Sequence, residues 1–410
     1  LEGSRICSLC KVVDTSDRCS RVSAGAGGYL PRLFEQVVIS GRTTKSVDMT
    51  GSSETYSRRD LIKTAGGLVA GTGLTTGCLG DGGEDRPLRV SPYSGAYGEV
   101  FEEVVVEGFR DEYGIEVEVA PGWDERVTEL RSTVGSGGSV PYDIVGVAGQ
   151  NYLIGINEGL FEPVRYQNVP NADDVWDFMR GYRTDEYGVP GEAGVSGIMY
   201  DEGGPYAEGW DGLLSSDAPV GMDTGYWDVS LLVTALMSEE LPGAEEFNQP
   251  EAHETLLSEF EEVSERVDVW YQGGAEVWEI MERGQVDQAV FYYASGRAGI
   301  ESRGLDYGMA IPDTAPAYYT NFCVTKGSPN REDAERFLNY MLREEVQREW
   351  VSEGYYVPAN STVAGDYPDS VAGVYPTDEE GMRGFLTVPD WEGIEGSVDE
   401  LSNGFNERIA

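Results

Sequence analysis

From Pro87 onward the chain alternates short apolar runs with amphipathic stretches, which restricts it to an α/β architecture built on parallel strands. Leu88 to Tyr93 reads as the first strand. Glu99 to Tyr113 puts Phe101, Val104, Val105 and Phe109 on one helical face, with Gly114 just past the end as a C-cap. Ile115 to Val119 alternates at period two, Asp124 to Val134 is a helix, Asp143 to Val147 a buried strand and Tyr152 to Glu158 a short helix. Further on, the pattern predicts strands at Gly197 to Tyr200, Gln288 to Tyr293 and Ala317 to Val324. It predicts helices over 228–239, 251–269 and Arg331 to Leu342.

The first eighty residues read differently. Met49 opens a segment in which Ser57-Arg58-Arg59-Asp60-Leu61-Ile62-Lys63 resembles a twin-arginine export signal. The apolar stretch Leu61 to Leu74 is too short to span a bilayer as an ordinary helix. Thr75-Thr76-Gly77-Cys78 resembles a lipoprotein cleavage box, with Leu74 one place further upstream than usual, and Leu79 to Arg86 is a Gly- and acid-rich tether. The expected layout is therefore a spurious upstream segment over 1–48, a signal segment over 49–77 and a lipid-anchored tether over 78–86. Export rests on Arg58 and Arg59 and anchoring on Cys78. Cys7 and Cys10 have C-x-x-C spacing, but no second pair or His follows at zinc-finger distance. Cys323 then remains as a lone thiol, read as a buried small hydrophobe.

Charge narrows the partners. The whole chain carries a net charge of -44; residues 78–410 hold 66 acids against 19 bases, and Lys326 is the one lysine among those bases. Such a surface repels nucleic acid and anionic membranes, and its excess of carboxylates over lysines resembles a halophilic protein in which salt screens self-repulsion. The single histidine, His253, lies in a charged helical stretch and reads as exposed; it cannot build a multi-His metal site. No nucleophile elbow, zinc-protease motif, phosphate loop or EF-hand loop occurs. Carboxylate pairs for glycoside hydrolysis stay open, because so many acids always supply pairs.

A run of motifs resembles the extracellular solute-binding proteins of ABC importers: Ser94-Gly95, Phe109 to Val117, Tyr142-Asp143-Ile144-Val145 and Glu158 to Val164. Tyr187-Gly188-Val189-Pro190, Trp210 with Leu213, Asn330 to Leu342 and Gly354-Tyr355-Tyr356-Val357-Pro358-Ala359-Asn360 resemble the spermidine/putrescine-binding branch. The resemblance spans about 88 to 365; joined to the acidic surface and the export and cleavage motifs, it describes a haloarchaeal-type acidic lipoprotein. It also implies a two-lobed, periplasmic-binding-protein-like fold with a hinge and a ligand cleft between lobes. The lobes would take 87–200 and 201–315, with 316–410 returning and ending in helices. It implies no catalysis, no cofactor, a monomer, a membrane permease as partner and a place on the outer face of the cell membrane.

Residues that end or follow strands give the expected cleft: Tyr93, Ser94, Gln150, Asn151, Asp223, Tyr226, Trp227, Tyr292, Tyr319 and Asn321. Polyamine binders cover the methylene chain with rings and meet the ammonium ends with carboxylates. The rings are retained, with Tyr292 and Tyr319 in aromatic places. The usual acids are replaced by Tyr226, Ala294 and Asn321, which leaves Asp223 as the carboxylate. A polyamine-like organic amine is favoured. The alternatives are ferric iron, with Tyr292 and Tyr293 as oxygen donors, another small solute, or, in a different class, an exported hydrolase using a carboxylate pair.

Overall fold

The computed structural model describes residues 86–410 apart from 181–185, 207–208, 215–216, 239 and 242. The export motif with Arg58 and Arg59, the C-x-x-C pair, Cys19 and the anchor Cys78 lie outside the described residues.

The fold begins with β1 (Leu88–Ser91), followed by one long helical run. It starts as α1 (Ala96–Val100), passes through a π-helical segment (Phe101–Val106) and ends as α2 (Glu107–Tyr113). Phe101, Val104, Val105 and Phe109 are buried on its inner face, and Gly114 ends it in the left-handed region at φ 64. β2 (Val117–Val119), α3 (Glu125–Ser136), β3 (Ile144–Val147) and α4 (Gly149–Asn157) follow, all of β3 being buried. After α5 (Asp177–Arg180) comes the long strand β4 (Val189–Asp201). Then come α6 (Trp210–Leu213), β5 (Val220–Asp223), α7 (Trp227–Met237), α8 (His253–Ser264), β6 (Val269–Tyr271), α9 (Gly273–Glu282), β7 (Gln288–Tyr292), α10 (Tyr293–Arg303) and β8 (Tyr307–Ala310). β9 (Ala315–Val324) leads into α11 (Arg331–Met341), α12 (Glu344–Gly354), β10 (Val357–Pro358), α13 (Glu379–Phe385), β11 (Leu386–Thr387) and α14 (Val398–Ile409).

The principal strand order is β2-β1-β3-β9-β4-β7-β5-β6. β1 is parallel to β2 and β3, and β5 is parallel to β6 and β7, so each end of the sheet is a parallel α/β unit. β4 joins the two. Its Val189–Val195 stretch pairs with β9, and Ser196–Tyr200 pairs with β7. The register fixes where the strand ends meet. The carboxyl end of β3 reaches Asn321 of β9, and that of β7 reaches Ser196 of β4, so both units aim their strand ends at the middle of the β4–β9 pair, near Gly194 opposite Tyr318. In open α/β sheets ligands lie beyond the carboxyl ends of strands.

The aromatic core of Phe101, Phe109, Phe322, Phe337 and Trp350 backs the first unit; Phe247, Phe260, Leu401 and Phe405, from α8, α14 and the loop before α8, back the second. Two buried polar side chains fix the frame. Asp143 accepts from the Arg89 amide at 2.8 Å, Ser328 Oγ at 2.6 Å and Arg86 Nη2 at 2.7 Å, tying the starts of β1 and α11 together. Gln347 donates to the Gly191 carbonyl at 2.9 Å and accepts from the Ala359 amide at 2.9 Å, which holds β4 against the return segment. Cys323 is a free, buried thiol. His253 departs from expectation: it is 1% exposed and its Nε2 lies 2.9 Å from the Phe247 carbonyl, because as the first residue of α8 it turns inward and does not ride on the charged face.

Candidate functional site

On the first side of the strand-end region Tyr93 follows β1 and bridges Gly122 beyond β2. Its ring meets Tyr97 edge-on at 5.5 Å and Trp123 at 5.6 Å, and Trp123 is half exposed, at 49%. The Arg126 guanidinium sits 4.5 Å from the Tyr93 ring centre, held by the carbonyls of Ser91 at 2.7 Å and Trp123 at 2.8 Å. Asn151, in the first turn of α4, donates to Asp124 at 2.7 Å, while Ser94 and Gln150 stand half-buried at the neighbouring strand ends.

On the opposite side Asp223 ends β5 and accepts from the Gly225 amide at 2.6 Å, which shapes the turn that presents Tyr226. Tyr226 meets Tyr292 edge-on at 5.2 Å, and Tyr292 meets Tyr318 of β9 edge-on at 5.6 Å. Asp228 lies in the first turn of α7. A narrow cavity of about 10 Å³, room for about one water, is lined by Ser196, Asp223, Tyr226, Tyr271, Tyr292 and the residues between them.

The electrostatics of this region are lopsided. Burial raises the carboxyls of Asp124 and Asp223, and it pushes Asp228 up to about 6, with the Asp124 charge adding to the effect. Tyr226 is pushed up to about 12, first by burial and then by Asp124, Asp223 and Asp228. The Asp124 charge acts on Asp228 and on Tyr226, so the acids of the two sides influence one another. None of the three aspartates makes an ion pair among the described residues. Arg126 is the cation nearest to these acids, and it offsets Asp124 and Tyr93 on the first side, while Asp223 and Asp228 on the other side have no such neighbour.

Of the sequence-derived set, Tyr93, Asn151, Asp223, Tyr226 and Tyr292 come together here. Tyr319 does not: its ring packs on Phe178 at 6.0 Å, and Tyr318 takes the place beside Tyr292, a slip of one residue that turns a strand side chain to the other face. Asn321 shares the Tyr319 face, is 1% exposed and leaves its Oδ1 without a partner. Trp227 turns into the helical core against Phe247 at 6.2 Å and Trp391 at 5.8 Å. Tyr292 and Tyr293 diverge. Tyr293 opens α10 and packs on Tyr375 at 6.1 Å, so the two phenols do not present a paired oxygen donor. Sequence reasoning missed Asp124, Asp228, Tyr97 and Tyr318, and took Asp223 as the sole carboxylate. Asp124 and Asp228 immediately precede or open helices that follow strands, which is the signal that could have found them.

Comparison with known proteins shows the fold and the family. An ABC transporter substrate-binding protein from Bradyrhizobium japonicum superposes with a TM-score of 0.69 at 18% identity, over 80% of this chain and 100% of that one. A spermidine/putrescine ABC transporter substrate-binding protein from Streptococcus pneumoniae does so with a TM-score of 0.62 at 17% identity, over 80% and 100%. The fold is thus the two-lobed α/β architecture of periplasmic solute-binding proteins. In sequence, the γ-aminobutyric acid-binding protein of Pseudomonas aeruginosa is 23% identical over 347 residues, covering 80% of this chain and 92% of that protein. The chain belongs to the bacterial extracellular solute-binding protein family, whose pattern matches residues 105–373.

Proposed function

We propose that this protein is the extracellular substrate-binding component of an ABC transporter and that its solute is a polyamine-like organic ammonium compound, passed unchanged to a membrane permease. The observation that carries this reading is the cluster of acids, Asp124, Asp223 and Asp228, whose charges all act on Tyr226 beside Tyr292 and Tyr318, with Arg126 offsetting Asp124 alone. An ammonium group relieves the repulsion and gains ring contacts. The names of the relatives support the same chemistry, since γ-aminobutyrate, spermidine and putrescine share a primary ammonium group. The strand register supports placing the lobes at 87–200 and 201–315, with hinge strands β4 and β9 and residues 316–410 returning. Anchoring of a monomer through Cys78 after export directed by Arg58 and Arg59 completes the reading, and the intact mass of the membrane-extracted protein checks it.

Calorimetric titration tests the ligand class. Putrescine and spermidine are expected to bind, and butane-1,4-diol, which has putrescine's carbon chain without its charge, is not. Equal affinity for the diol would overturn the reading, and mass spectrometry of the released ligand checks that it leaves unaltered. Arg126 favours a second reading, an ω-amino acid, because its guanidinium faces the Tyr93 ring at the strand ends and suits a carboxylate. Tighter binding of γ-aminobutyrate than of putrescine would select it.

A further inference from the structure

Glu192 belongs to β4, the strand shared by both units, and is 1% exposed. Its Oε1 accepts from the Tyr97 hydroxyl at 3.2 Å, and its Oε2 lies beside the Thr320 hydroxyl without closing a hydrogen bond of ordinary geometry. The groups that face it are neutral on every side: Tyr93 and Tyr97 around α1, Tyr318 and Thr320 on β9, Tyr356 after α12, and Tyr375. Among the described residues no Arg or Lys offsets it. A carboxylate sealed in without a cation is costly, and its survival asks for a compensating partner.

The same strand shows a way in. Side chains alternate along β4, so Glu192, Gly194 and Ser196 share a face, and Ser196 lines the cavity beside Tyr292. Between the cavity and Glu192 lies the Tyr318 ring, resting on bare Gly194, where a Cβ would come within 2.2 Å of the ring. Tyr97 and Tyr356 meet at 5.1 Å on the far side. We infer that Glu192 is an ion-pairing residue for an ammonium group of the ligand, reached when the Tyr318 ring swings off Gly194, and that the rings of Tyr97, Tyr318 and Tyr356 enclose that cation. This rests on the ammonium-solute reading above and places a specificity determinant on the hinge strand, behind the three aspartates. Burial pushes the Glu192 carboxyl up to about 7, and the hydroxyls of Thr320 and Tyr97 offset only part of that. An arriving cation favours the ionised form, so binding near neutral pH releases up to about half a proton at this residue.

The test is titration of wild type and Glu192→Gln with putrescine at pH 7 in two buffers of different ionisation enthalpy, with circular dichroism as the check on folding. Glutamine keeps the shape and still accepts from Tyr97. The expected result is at least a tenfold loss of affinity with a smaller proton release, while Glu192→Asp retains the preference for amine over diol. Wild type and Glu192→Gln binding putrescine equally, with equal proton release, would overturn this inference and leave the ammonium reading standing. A wild type that binds no amine would overturn both. Should Glu192→Gln fail to fold, wild type alone decides: putrescine binding at pH 7 with no proton release would also reject the assignment.

Discussion

The acids of the site are set against their own solvation. Asp228 is half-buried, with its carboxyl pushed up to about 6 from an ordinary value of 3.8, by burial first and by Asp124 second. A raised carboxyl binds a proton that the unfolded chain has already lost, so the folded state is favoured at low pH. That contribution is fully present below about 4 and is lost as pH rises through about 6. Because the side chain keeps some contact with solvent, the loss is expected to be about 1–2 kcal/mol, less than the full shift would give. Asp228→Asn should therefore be the more stable protein at pH 7, with urea midpoints converging at pH 4. A wild-type midpoint that rises between pH 4 and 7 relative to this variant would show that Asp228 has a favourable partner. The ring residues are legible in the sequence to within a position: Tyr226 and Tyr292 follow strands and face the cleft. The pair Tyr318–Tyr319 cannot be phased by inspection, because two adjacent tyrosines on a strand satisfy either face. The acids were hidden for another reason. Among 66 carboxylates in 78–410, Asp124 and Asp228 stand out only by the charges the fold brings near them, and Glu192 only by its burial and unpartnered oxygen, which are properties of the fold.

At the scale of elements, periodic helices and fully apolar strands are readable, and the Gly-rich strand is not. The helical run to Tyr113, the strand β3 and the helix α11 appear within a few residues of their predicted bounds. The stretch predicted as helix over 251–269 stops at Ser264, because Val269–Tyr271 pairs with β5. β4 was foreseen only from Gly197, since Val189 to Ser196 contains Pro190, Gly191 and Gly194 and has little strand propensity of its own. Its neighbours explain the composition. A Cβ on Gly191 would approach the Phe322 ring to 2.6 Å, and one on Gly194 would approach Tyr318 to 2.2 Å, so bare backbone is what lets β9 lay its rings against β4. Gly194→Ala is accordingly expected to displace Tyr318 and to cost about 1–3 kcal/mol by overpacking. Its effect on putrescine affinity should exceed that of Gly284→Ala, a positive-φ position remote from the cleft. Paired urea melts and titrations of the two variants check this, and equal losses of affinity would mean that the Tyr318 position does not matter to the ligand.

The molecule as a whole is governed by its charge. Residues 78–410 carry 66 acids and 19 bases, and the arginines that pair, such as Arg131 with Glu158 at 2.5 Å or Arg343 with Glu112 at 2.7 Å, leave most carboxylates unmatched. Repulsion between them reaches about 10 Å at 0.1 M salt and about 3 Å at 1 M. The melting temperature should therefore climb between dilute and molar KCl, and a flat profile would mean that the acids are compensated locally. The same field acts on the ligand with the opposite sign. An acidic surface draws a cation toward the cleft and raises its association rate, an attraction that salt screens. The inner contacts, with Glu192 sealed from solvent and Asp228 half-buried, are screened far less. Raising KCl should then slow putrescine association while the dissociation rate changes little, as the protein itself becomes harder to melt. Stopped-flow traces read through tyrosine and tryptophan emission separate the two rates. An association rate that ignores salt, in a protein whose melting temperature rises with it, would place the repulsive charge away from the cleft and remove long-range attraction from the account of how this protein finds its solute.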